Sequence, residues 1–346
     1  MQKIALGRSD IMVTDWCLGT MTYGNQTDRA DAYAQIDMAL DAGINFIDTA
    51  EMYPVNPIRA ETVGLSETIV GEWIAKSGRR SEVVIATKVS GNNPGWVRDG
   101  YGYDGAVIRQ AVDASLRRLQ TDVIDLYQMH WPERGSYAFR QNWTYDPSGQ
   151  DRQQTMDHML DVLSALDDCV TAGKIRAIGM SNESAWGMTK WIDQATTAGL
   201  PRMVSVQNEY SLLSRLYDTD LAEMAVNEDV TLLAFSPLAC GLLTGKYQHE
   251  VPAGSRLAIN GNLGGRMTPR TLPVTQVYLD LARDYGVDPV HMAMAWQATR
   301  PFPVSAIFGA TNKAQLAHIL AGRDTLLSDD LIAAIGAAHR ANPMPY

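Results

Sequence analysis

A chain of 346 residues with 46% apolar and 20% charged residues has the composition of a soluble globular protein, and its length fits one large domain or two ordinary ones. The formal net charge of −10 disfavours nucleic acid as the main partner, while leaving room for a local basic pocket that holds a phosphate. No run is long enough to span a bilayer and no signal-peptide pattern opens the sequence, so no membrane association and a cytoplasmic address are expected. Cys17, Cys169 and Cys240 are odd in number, widely separated and without Cys-x-x-Cys spacing, so they read as small core residues rather than as a disulfide framework or a zinc site.

In chain order, two short strand-like runs, Lys3 to Leu6 and Ile11 to Val13, flank the polar turn Gly7-Arg8-Ser9-Asp10 and predict a hairpin. Trp16-Cys17-Leu18-Gly19 reads as the first buried strand. A helix from about Asp28 follows, with Tyr33, Ile36 and Leu40 at helical spacing and Gly43 as its stop. It delivers the chain into Ile44 to Tyr53, an apolar run that ends in Asp48 and then, one short loop later, in the phenol of Tyr53. A helix around Val63 to Ser77 leads to Val83 to Lys88, and one around Asp104 to Leu119 leads to Val123 to His130. Another carries Met159, Leu163, Leu166 and Val170 on one face and feeds Ile175 to Met180 with Ser181-Asn182. Later strands end at Gln207-Asn208, Phe235 and Phe308.

The junctions Ala42-Gly43-Ile44, Ala172-Gly173-Lys174 and Ala198-Gly199-Leu200 repeat one pattern of helix end, glycine and strand start. Eight strands with intervening helices are the number that closes a (β/α)8 TIM barrel, here as one domain over residues 1–346 with no linker dividing the repeat. An open doubly wound sheet is the alternative, but no Gly-x-Gly-x-x-Gly follows the first strand. Two segments exceed ordinary loop length, 131 to 152 and about 246 to 270. The first holds Trp131, Tyr137, Phe139, Trp143 and Tyr145, which either line a substrate entrance or pack on the barrel rim. The second holds Lys246, Arg256, Arg266 and Arg270, which are solvated loop charges unless an anion draws them in.

In such a barrel Asp48, Lys88 and His130 all fall at carboxyl ends of neighbouring strands, with Tyr53 just beyond, so residues far apart in sequence meet at one mouth. A buried lysine needs a partner, and Asp48 is the obvious one. Together they would hold a cation near the Tyr53 oxygen and lower the phenol towards a range where it exchanges a proton, with His130 orienting or sharing that proton. The set suits proton donation to a carbonyl oxygen as hydride reaches carbon. A hydride must come from a cofactor, because no side chain supplies one. A metal hydrolase on the same barrel finds no His-x-His or His-x-x-x-His pair among the six histidines.

Six short strings in order resemble the aldo-keto reductase family, and within it most the bacterial Tas-like branch that uses NADP(H): Gly43 to Tyr53, Ala86-Thr87-Lys88, Asp125 to His130, Gly179 to Asn182, Gln207 to Tyr210 and Phe235 to Gly241. The resemblance implies a TIM barrel whose bottom is plugged by the amino-terminal hairpin and a tetrad in which Tyr53 gives the proton, Asp48 and Lys88 tune it and His130 positions a small-molecule carbonyl. It also implies that Ser181, Asn182 and Gln207 hold the nicotinamide carboxamide with Phe235 on its ring. Ser236, Leu238 and Gly241 would approach the pyrophosphate, and Lys246 and Arg256 would add positive charge. Gly309, Thr311 and Gln315 would meet the adenosine end, while Thr20 and Met21 match a cofactor contact on the first strand. Relatives close the Gly309 to Ile319 segment with an acidic residue and Asn; His318 and Ile319 stand there in this chain. The family also contains cofactor-bound regulatory subunits of potassium channels, which carry Asn at the position of His130, so the histidine favours an enzyme. Oligomeric state and the physiological carbonyl are not written in these strings.

Overall fold

The computed structural model describes residues 2–346. A hairpin of β1 (Lys3–Ala5) and β2 (Met12–Thr14) precedes β3 (Trp16–Gly19), β4 (Phe46–Asp48), β5 (Val84–Val89), β6 (Ile124–Met129), β7 (Ile175–Ser181), β8 (Met203–Glu209), β9 (Thr231–Phe235) and β10 (Val304–Phe308). Strands β3 to β10 pair in parallel and in sequence order, and β10 returns to β3 to close the barrel. The helices that follow β3 to β8 are α1 (Arg29–Asp41), α2 (Leu65–Ser77), α3 (Gly105–Leu119), α4 (Arg152–Thr171), α5 (Ala185–Ala198) and α6 (Asp220–Asn227). Three helices follow β9, namely α7 (Arg256–Asn260), α8 (Thr271–Asp284) and α9 (Pro289–Gln297), and the chain ends in α10 (Lys313–Ala321) and α11 (Asp329–Ala341). None of these helices is long and apolar enough to cross a membrane.

The units begin and end where local chemistry dictates. The side chains of Asp28, Asp104, Asp151 and Ser184 each accept a backbone N–H in the first turn of the helix they precede. Gly43, Gly173 and Gly199 adopt φ of +90°, +70° and +67°, and a β-carbon there would meet nothing within 4 Å. Backbone conformation rather than space therefore requires glycine at the repeated junction. The sequence predicts a loop where α7 lies and marks neither α8 nor α9, because α7 is barely more than a turn and β9 is followed by three helices instead of one.

The apolar interior has two parts. One lies between strands and helices, and the other fills the lower barrel with Cys17, Phe46, Ala86, Leu126, Val204, Leu233 and Ile307. Leu6, Ile11 and Val13 of the hairpin belong to that second part, so the hairpin closes the lower end. Its turn is pinned by the Gly7 amide on Thr231 Oγ1 at 2.9 Å. The upper lumen is polar instead: Asp48, Lys88, Gln128, Ser205 and Gln207 are all buried there. Gly179 makes room for Ser205, since a β-carbon would come within 2.3 Å of its Oγ.

Candidate active site

Asp48 ends β4 and Lys88 lies on the neighbouring β5, so the ladder that pairs Asp48 with Ala86 carries both side chains to the upper lumen. Lys88 is fully buried, and its ammonium donates to Asp48 Oδ2 at 2.7 Å and to the Thr49 carbonyl at 2.7 Å. Burial alone would lower the Lys88 pKa, but the carboxylate beside it holds it above its ordinary value. Asp48 Oδ1 accepts from Gln207 Nε2 at 2.9 Å, so the carboxylate is fastened from both sides. Tyr53 lies on the loop after β4 with its ring centroid 5.1 Å from the Lys88 ammonium. Burial raises the Tyr53 phenol above its usual value, and the opposing pull of Lys88 does not reverse this. The expected lowering is thus overridden, because a buried phenolate loses more hydration than one lysine, itself paired with Asp48, returns.

His130 follows β6, and its ring lies edge-on to Tyr53 at 5.7 Å and against Trp131 at 4.9 Å. Burial, then the nearby Lys88 charge, holds its pKa well below the usual imidazole range. The ring is neutral near pH 7, which suits it to orient an oxygen by hydrogen bonding and not to share a proton as an imidazolium.

These groups open into a cleft of about 1300 Å3 that runs along the carboxyl ends of the strands. Met21, Asp48, Tyr53, His130, Ser181, Asn182, Gln207, Phe235, Ser236, Leu238, Gly241, Lys246, Arg256, Gly309, Thr311 and Gln315 all line it. Lys88 and Thr20 do not. Lys88 sits behind Asp48, and Thr20 is buried with its hydroxyl donating to the Asp48 carbonyl at 3.0 Å, which puts it one layer behind the wall expected to touch a cofactor. Asn182 Nδ2 donates to the His130 carbonyl at 2.9 Å and Ser181 Oγ to the Gln207 carbonyl at 2.8 Å. These bonds leave the amide oxygens of Asn182 and Gln207 to accept from a ligand. The donor set fits a dinucleotide along its length: amide and hydroxyl groups at the mouth, an aromatic wall at Phe235, then a tight turn in which Ser236, Ala239, Cys240 and Gly241 have positive φ, and two cations beside it. At Gly241 a β-carbon would stand 2.7 Å from Lys246 Cε, so the turn and the lysine are packed together.

Several groups depart from the sequence reading. Cys240 is not a plain core residue: it lines the cleft, with Arg256 Nη1 3.0 Å from its sulfur. Burial would raise its pKa, but Arg266 and Arg256 bring it below the usual thiol value. Arg266 is not a solvated loop charge; it is buried, lines the cleft and pairs with Glu209 Oε1 at 2.7 Å. Arg140 pairs with the other oxygen of Glu209 at 2.9 Å. Glu209 and Arg140 were missed because a single acid and a single base 69 residues apart carry no periodic signal. The loop aromatics divide: Trp131 and Phe139 line the cleft, whereas Trp143 is exposed and Tyr145 hydrogen-bonds Gln150.

A sequence profile of the Aldo/keto reductase family matches residues 16–340. The protein Tas of Escherichia coli strain K12 is 43% identical over the whole of this chain and 99% of its own length. An uncharacterised oxidoreductase of Bacillus subtilis, YrpG, is 33% identical over 96% of this chain and 94% of its own. A probable voltage-gated potassium channel subunit beta of Arabidopsis thaliana is 29% identical over 94% of this chain and 92% of its own.

Proposed function

The chain belongs to the aldo/keto reductase family, an oxidoreductase family, and from that membership we propose that it is an NADPH-dependent carbonyl reductase working as one domain, with Tyr53 as its proton donor. The observation that carries this reading is the meeting of Tyr53, the buried Lys88–Asp48 pair and a neutral His130 at the mouth of a cleft of about 1300 Å3. A nicotinamide dinucleotide, when bound, would supply the hydride, which no side chain can. Ser181, Asn182 and Gln207, which line the cleft, would hold its carboxamide end, and Phe235 would back the ring. His130, neutral, donates a hydrogen bond to the carbonyl oxygen and fixes its distance from the phenol. Tyr53 keeps its proton at neutral pH and gives it to that oxygen as negative charge develops there. The Lys88 ammonium, already desolvated, stabilises the phenolate left behind. Asp48 keeps Lys88 charged and in place, and Gln207 keeps Asp48 in place. Trp131 and Phe139 shape an apolar approach suited to a small-molecule aldehyde, ketone or quinone, and a cytoplasmic address belongs to the same reading.

The likeness to a probable potassium channel subunit beta supports a second reading, a cofactor-bound regulatory or binding subunit. One experiment separates the two. NADPH is titrated by fluorescence, and turnover of a panel of aldehydes, ketones and quinones is then followed by NADPH absorbance. Saturable binding with turnover is expected; binding with no turnover of any carbonyl would leave the regulatory reading standing.

A further inference from the structure

We propose that Asp288, His291 and His318 form a binding site for a divalent transition cation of the zinc class at the rim of the cleft. Asp288 caps α9 and His291 stands one turn along it, while His318 comes from the last turn of α10, which packs against α9. One carboxylate oxygen and one ring nitrogen of each histidine all lie within 4.8 Å of one another. Two of the three groups are oriented by what their other ends do. Asp288 Oδ1 accepts the backbone amides of Val290 at 2.8 Å and His291 at 3.2 Å, which frees Oδ2 to face His318 Nε2 at 2.9 Å. His291 Nε2 lies 2.7 Å from the His318 carbonyl, so it carries the proton and leaves the lone pair on Nδ1. An imidazole whose outer N–H is fixed on a backbone carbonyl is the arrangement that metal-binding histidines use. The ring is also wedged against Gly322, where a β-carbon would come within 2.3 Å of its Cδ2.

A hydrogen bond between His318 and Asp288 would need only one imidazole, and the second makes a set of two nitrogens and one oxygen. That set selects zinc, nickel or copper over magnesium and calcium, which prefer oxygen ligands. Metal–ligand bonds of about 2.0–2.2 Å put the ligands of a tetrahedral centre about 3.4 Å apart, so a modest closure is required. His318, whose side chain is 51% exposed, is the ligand with room to supply it. Asp288 and His318 both line the cleft, so water or an anion in the cleft completes the coordination. Coordination through His318 Nε2 requires that nitrogen without a proton, which moves to Nδ1 or to solvent.

The site stands independently of the reductase reading, because it is tested without coenzyme. Tag-free chain is dialysed against a chelator and titrated with zinc sulfate by calorimetry, with magnesium as the counter-probe, and the circular dichroism of each variant is recorded. One zinc ion per chain is expected, with affinity falling at pH 5.5 relative to pH 7.5 and magnesium failing to compete. His291→Gln and His318→Gln should each weaken binding by at least the tenfold to hundredfold that loss of a supporting partner costs. Asp288→Asn should do the same while keeping the helix cap, since asparagine caps as well as aspartate, so loss of fold does not explain a loss of metal. No saturable zinc binding, binding indifferent to His291→Gln, or equal displacement by magnesium would each overturn the site.

Discussion

A phenol raised above its ordinary pKa by burial is fully protonated at neutral pH, which fixes the direction of its chemistry: it is ready to donate and reluctant to accept. Reduction by Tyr53 should therefore be flat across neutral and mildly alkaline pH, whereas alcohol oxidation, which needs the phenolate, should climb with pH. Tyr53→Phe removes the acid and should lower carbonyl reduction by roughly 10² to 10⁴, the range of general acid catalysis, with NADPH affinity nearly intact. Near wild-type turnover in that variant would take the role away from Tyr53. Lys88→Met should be as inactive by another route, since it removes the one cation 5.1 Å from the ring and strands Asp48 in a buried place. Breaking one side of a buried pair costs about 3–5 kcal/mol, so the variant should also melt earlier. The Lys88 pKa is raised in the folded chain, so what the pair contributes is fully present at neutral pH and is lost only as pH climbs through the alkaline lysine range. Without the cation the Tyr53 pKa rises further, and the oxidation limb should move to higher pH; an unmoved limb would show that Lys88 does not tune the phenol.

The elements that cover the cleft are tied to one carboxylate at the end of β8. Glu209 takes Arg140 from the long loop after β6 and Arg266 from the loop after α7, and the Tyr346 hydroxyl stands 3.4 Å away at the end of the chain. Burial would raise the Glu209 pKa, but Arg266 and Arg140 hold it below the usual carboxylate value. A depressed folded pKa means that this contribution is present above the unfolded value and is lost as pH falls through the acid range. Glu209→Gln leaves two arginines without their counter-charge, and we expect a loss of about 3 kcal/mol or more together with faster proteolysis in both loops. Unchanged melting and an unchanged cleavage pattern would mean that the loops are held by other contacts. Such ties explain which parts of the fold were legible in the sequence. Periodicity and Gly43, Gly173 and Gly199 announce the βα repeat, and strand ends announce Asp48, Lys88 and His130, because these are local patterns. Glu209 with its arginines and Asp288 with its two histidines depend on where loops and helices come to rest, and no local pattern encodes that.

Across the whole molecule, a net charge of −10 disfavours any anionic ligand, and against it the cleft lining gathers Arg140, Lys246, Arg256 and Arg266. The sequence reading placed Lys246 and Arg256 together as the source of charge for NADPH. In the fold Arg256 lies on Cys240, inside the turn of Ser236 to Gly241, and its charge reaches as far as Tyr53. Lys246 packs on the same turn, and burial, then Arg256, lowers its pKa. On the proposed reading both cations would serve the part of the coenzyme that NADPH and NADH share. A 2′-phosphate, close to two negative charges near neutral pH, would lie towards Thr311 and Gln315, where Lys313 begins α10. Charge-assisted hydrogen bonds contribute roughly 1.5–3 kcal/mol each, so Arg256→Ala should weaken both coenzymes by about tenfold or more and by similar factors. Lys313 is exposed and screened, so Lys313→Ala should weaken NADPH by a smaller factor and leave NADH almost unchanged. The measurement is the dissociation constant of each coenzyme for wild type and both variants at one fixed ionic strength. A loss confined to NADPH in Arg256→Ala would move the 2′-phosphate to that arginine, and an NADH affinity equal to that of NADPH in the wild type would remove the coenzyme preference altogether.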